Sequence, residues 1–132
     1  MSARKLDELI RQMENYLECW KQFNHYLALA REKKFQAEDE AQFLEIKSVL
    51  TQELELILAR IETPNPSKEE VLALISGVTS IRYASELPEN SLRAVENNWH
   101  KIYIAWQSLL GQLKVQQQKS EKKGLFASLF RK

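Results

Sequence analysis

The side chains of this 132-residue chain with the reach to do chemistry are two histidines, one cysteine and 18 acidic residues. A buried di-iron centre needs two Glu-x-x-His pairs and further glutamates facing one interior. Here His25 has Gln22 three positions before it, and His100 has Glu96 four positions before it. Neither histidine falls on the apolar stripe of its own segment. Glu96 and His100, at i and i+4, fit a surface hydrogen-bonded pair better than a ligand set. Cys19 has no nearby basic pair to hold it as thiolate, so it reads as a packed thiol beside Trp20. There is no glycine-rich phosphate loop and no Gly-x-Ser-x-Gly elbow. No catalytic, cofactor-binding or metal-binding residue is expected, and the chain reads as non-enzymatic. A four-helix bundle that holds a small ligand or a metal ion is the alternative class.

Ala73, Gly77 and Val78 resemble the core of a helix-turn-helix, in which glycine occupies the turn. The segment after them departs from that pattern. Glu86 falls where the second helix needs an apolar residue, and only Arg82 offers a phosphate contact. The first 118 residues are acidic, the opposite of an electrostatic DNA footprint. No nucleic-acid partner is expected, and Gly77 reads as a glycine tolerated within a helix or kinking it.

Residues 119–132 are the remaining candidate. They carry five Lys/Arg and one Glu, a net +4, against 14 Lys/Arg and 17 Asp/Glu, a net −3, in residues 1–118. An acidic body with a basic tail suggests a division of labour. Gly124 reads as a helix stop. After it, Leu125, Phe126, Leu129 and Phe130 share one face of a short helix, bracketed by Lys122, Lys123, Arg131 and Lys132. These eight residues are the expected docking site. Three fates compete: folding back onto the body, lying on an anionic membrane surface, or docking in a partner protein's groove.

The helices that would present this tail are legible from spacing. Leu6, Leu9, Met13, Tyr16, Trp20, Phe23, Leu27 and Ala30 repeat a 3, 4 spacing, widened by Ile10 and Leu17. In phase, that stripe would continue through Ala37, Ala41, Leu44, Ser48 and Thr51. The apolar stripe instead runs Phe43, Ile46, Leu50, Leu54, Ile57, Ile61. The shift of two residues is about 200° around a helix, so a turn is expected between Lys34 and Asp39. Thr63-Pro64-Asn65-Pro66 ends the second helix. Ser67 and Glu70 form a capping box for the third, whose stripe is Val71, Leu74, Val78 and Ile81. Leu92, Val95, Trp99, Ile102, Trp106, Leu109 and Leu113 give the last seam, flanked by Tyr103 and Leu110. The tryptophans, Tyr16, Tyr103 and Phe23 read as core rather than as an aromatic ligand pocket. Their N–H groups are expected to find Asn24, Asn98 or a glutamine.

The expected fold is all-α: an antiparallel up-down-up-down four-helix bundle over residues 1–118, with helices at about 3–33, 39–62, 67–84 and 88–118. The third helix is too short to cover its neighbours, so one end should expose apolar surface or take a partner. Three glycines and three prolines fit few, long helices. A single cysteine fits a reducing, cytoplasmic setting, peripheral at a membrane if the tail binds lipid. The opening residues, MSARKLDELIRQ, do not read as a signal peptide, and no stretch approaches the ~20 apolar residues of a membrane span. The expected function is that of an interaction or adaptor module whose tail, residues 119–132, docks to an unknown protein partner or an anionic membrane. A homodimer is a further assembly the seams would allow.

Overall fold

The structure is a computed structural model that describes residues 1–130; within its last helix, the side chains of 125–128 and 130 are outside the description. It contains α1 (Ala3–Glu32), α2 (Ala37–Leu58), α3 (Lys68–Gly77), α4 (Ile81–Ser85) and α5 (Glu89–Phe130). No strand occurs among the described residues.

The two long seams are buried as their spacing requires. Every residue of the first stripe, from Leu6 to Ala30, is buried, together with Ile10 and Leu17. On α5, Leu92, Trp99, Ile102, Trp106, Leu109 and Leu113 are buried and Val95 packs half-buried against them. On α2, Phe43, Leu50, Leu54 and Ile57 are buried. Helix α1 packs against α5, α2 and α4, while α3 lies against both α2 and α5. As residue numbers rise along α1, those of the residues it meets fall along α2 and along α5. Towards α2, Gln12 meets Glu53, Tyr16 meets Leu50 and Tyr26 meets Gln42. Towards α5, Asp7 meets Gln117, Glu14 meets Lys114, Trp20 meets Trp99 and Arg31 meets Glu89.

The break between α1 and α2 lies at residues 33–36. Lys33 adopts the left-handed conformation (φ 56°), and the N–H groups of Lys33 and Lys34 close on Ala30 and Leu29. This is a helix-terminating geometry made by a lysine where glycine is the usual occupant. Asp39 then accepts from the Gln36 N–H at 2.8 Å, and Glu38, Asp39 and Glu40 occupy the positive first turn of α2.

Three boundaries differ from expectation. Helix α2 ends at Leu58 rather than 62, and Ile61 packs against the core from the following turn. The expected helix over 67–84 is two helices, α3 and α4, with Val78–Ser80 between them. Ser67 caps α3 through the Glu70 N–H (3.2 Å), but the Glu70 carboxylate stands 4.0 Å from Lys101. Ser80 caps α4 through the Tyr83 N–H (2.9 Å). Glu40 reaches across from α2 to accept from the Ile81 and Arg82 N–H groups at 2.6 and 3.2 Å. Two carboxylate hydrogen bonds to free helix donors hold even a five-residue helix in place. Val71, Leu74, Val78 and Ile81 all remain buried across the break.

The third difference concerns α5. It does not stop at 118 or at Gly124 but continues to Phe130, 42 residues in all. Gly124 has no positive φ, and a Cβ at that position would meet nothing within 4 Å. Residues 119–130 are therefore an extension of α5, not a separate short helix. At the end beyond α3, Leu6, Leu9, Met13 and Leu113 are buried, whereas Leu56 and Val115 are 54% and 49% exposed.

Candidate functional site

The side chains with chemical potential lie apart. His25 and His100 are both exposed, on α1 and α5. His25 lies beside Tyr26 and His100 beside Trp99, with ring centroids 5.4 and 6.4 Å apart. Glu96, expected to pair with His100, is engaged by Arg31 instead. The Arg31 guanidinium donates to Glu96 through Nε at 2.9 Å and to both oxygens of Glu89 at 2.8–2.9 Å. Those bonds hold the Glu89 carboxyl below the ordinary glutamate range. The three side chains clamp the end of α1 to the start of α5. Among the described residues no three His, Cys, Asp or Glu side chains stand close enough to share a metal ion. Cys19 is half-buried, and burial, with Glu53 and Glu18 nearby, pushes its thiol up, away from the thiolate.

An open groove between α1 and α5 is lined by Leu17, Tyr103 and Leu110 among others. Its charged rim is self-neutralised: Lys21 pairs with Glu18 at 3.0 Å and Lys114 with Glu14 at 3.6 Å. Tyr103 is committed to Trp99, against which it stacks at 4.8 Å. No unpaired charge remains there to select a ligand.

The distal part of α5 is different. Gln117 still donates to Asp7 at 2.8 Å, and Ser120 and Glu121 still flank Ala3 and Leu6. Helix α1 begins at Ala3. Beyond Glu121, α5 runs nine more residues to Phe130, about 14 Å at ~1.5 Å per residue. Lys119, Lys122, Lys123 and Gly124 are exposed along it, and Leu129 is 69% exposed. Of the eight expected docking residues, Lys122, Lys123 and Leu129 are thus on an exposed helix. The side chains of Leu125, Phe126 and Phe130, and all of Arg131 and Lys132, lie outside the described residues.

The register of α5 carries information that a helix stop at Gly124 would have erased. Leu113, the last buried residue of the seam, and Leu129 are 16 residues apart, about 160° around the helix at ~100° per residue. Leu129 instead shares the outward face of Ile104 and Val115, each 49% exposed. Lys119, Lys122, Phe126 and Leu129 follow Val115 at spacings of 4, 3, 4 and 3. One stripe, opposite the core seam, thus passes from Val115 through two lysines to apolar positions. No described helix is long and apolar enough to cross a membrane.

The chain matches no protein-family model, no curated protein and no solved structure.

Proposed function

We propose that this chain is a non-enzymatic interaction module: an antiparallel four-helix bundle, its third leg split into α3 and α4, that docks through the distal part of α5. The descending cross-helix contacts support the antiparallel arrangement. The observation that carries the docking role is the unbroken passage of α5 past the first turn of α1, with Leu129 turned about 160° from the core seam. A helix that only closed the bundle would keep its apolar positions on the seam. Leu129, a large apolar side chain exposed on that outward face, favours burial against something outside the chain.

The test uses the full chain with a photoreactive residue at position 129, and the same residue at exposed Leu44 as control. In cell material, position 129 should form adducts well above those at position 44. Equal labelling would overturn the docking role. A second variant, Phe126→Ser/Phe130→Ser, separates docking from capping. Its melting temperature should match the parent, and a clear fall would make distal α5 a cap on the bundle.

A further inference from the structure

Resting on that docking role, we infer that the acceptor is an anionic lipid surface, met obliquely by the underside of distal α5. Three observations point there. The first is the order of chemistry along one stripe. Lys119 and Lys122 lie within about 80° of Leu129 around the helix, and Lys122 within about 20°. Lys123 is exposed beside them, and Glu121 is the one acidic residue between 119 and 130. From Lys122 to Leu129 the helix rises about 10 Å. That matches the ~5–10 Å to which the apolar face of an interfacial helix enters the headgroup and acyl boundary. With the apolar positions immersed, the lysines one to two turns earlier stand at the level of the lipid phosphates.

The second observation is the brevity of the apolar patch. Positions 125, 126, 129 and 130 span less than two helical turns. Helix-in-groove recognition uses anchors at i, i+3, i+4 and i+7 or further, with the apolar face setting the affinity. Residues 119–132 instead carry five basic side chains against four large apolar ones, and the basic ones gain most from a continuous sheet of phosphates. A short apolar patch joined to a polybasic one is the two-signal combination that lipid surfaces hold reversibly.

The third is the charge of the body. Residues 1–118 carry a net −3 and would be repelled by the same surface. Attraction is thus confined to residues 119–132, whose net +4 must outweigh that repulsion, and contact is made through distal α5 alone.

The experiment is co-sedimentation of the full chain with phosphatidylcholine vesicles, with and without phosphatidylserine. Binding is expected only to the anionic vesicles, and should fall steeply with added salt. Each of Lys119→Gln, Lys122→Gln and Lys123→Gln should weaken it about fivefold. Phe126→Ser/Phe130→Ser should abolish it with the fold intact by circular dichroism. Equal binding to neutral vesicles, or insensitivity to the lysine variants, would overturn the inference. If no vesicle is bound while position 129 still crosslinks one protein in cell material, the lipid acceptor is wrong and the docking role stands. If the double serine variant binds anionic vesicles as the parent does, distal α5 is not the docking element and both readings fall.

Discussion

The indole N–H of Trp99 donates to the main-chain carbonyl of Trp20 across 2.9 Å, tying α5 to α1 within the core. The other two indoles differ: Nε1 of Trp20 and of Trp106 is buried without a hydrogen-bond partner. Both rings pack edge-on to Tyr16, at centroid distances of 6.2 and 5.5 Å. The core therefore holds one indole tied to the main chain and two that are not.

That contrast can be measured with benzothienylalanine, an indole isostere that lacks the N–H. At position 99 it should destabilise by about 0.5–1.5 kcal/mol, the net worth of a typical hydrogen bond. At position 106 it should stabilise, by up to about 1–3 kcal/mol, because an unpartnered buried donor disappears. Denaturant unfolding of the two variants reads the difference, and equal effects would show that the Trp106 N–H is satisfied.

Gly124 and Gly111 sit inside α5 with open space where a Cβ would be. Gly124→Ala should therefore raise helix content and favour the continuous helix by about 0.5–1 kcal/mol. A glycine that terminated a helix in the left-handed region would give the opposite sign. Far-UV circular dichroism and amide exchange across residues 119–130 decide it.

The fold is legible in the sequence to the extent that it follows a single periodicity. Every residue of the α1 and α5 stripes is buried or half-buried, though Tyr26 and Ala105, off the stripes, are buried too, and the two-residue phase shift after α1 locates the α1–α2 turn to within a few positions. The α3–α4 break is hidden because Val78 and Ile81 stay buried through it, so burial periodicity does not register the interruption. Ser80 as a cap is a signal the sequence carries; the Glu40 contact, 41 residues away, is not. Gly124 misleads for a related reason: an exposed glycine costs a helix only about 1 kcal/mol, less than a long helix can absorb. The partner of the Trp99 indole also escapes a sequence reading, since it is a main-chain carbonyl rather than the expected Asn24 or Asn98.

Glu40→Ala should loosen α4 selectively. Losing both carboxylate bonds to the Ile81 and Arg82 N–H groups should cost about 1–2 kcal/mol, in the range of a strong helix cap. Amide exchange at residues 81–84 should accelerate while α1 and α5 keep their protection. Unchanged exchange would mean that Ser80 alone holds α4.

The Arg31 clamp makes a signed pH prediction. Hydrogen bonding to Arg31 depresses Glu89 in the folded chain. The pair thus stabilises the fold above the ordinary glutamate value, about 4.3, and that support fades as pH falls through the lower folded value. Glu89→Gln should melt below the parent at neutral pH, with the gap closing in acid. The carboxylate is solvent-exposed, so the gap should be modest and should shrink with salt. A gap that widened in acid would reverse the assignment.

All three tryptophans, Trp20, Trp99 and Trp106, lie in the buried core, and distal α5 has none. Intrinsic fluorescence of the native chain is consequently a gauge of the core alone. Docking through distal α5 should leave the emission maximum where it is, while unfolding should move it to the red. Any ligand that shifts the emission of the folded chain is acting on the interior, and a dye placed at position 129 would report on the opposite face. The two signals are optically separate in one molecule, so any occupancy of the helix end and the integrity of the helical core can be followed in the same titration.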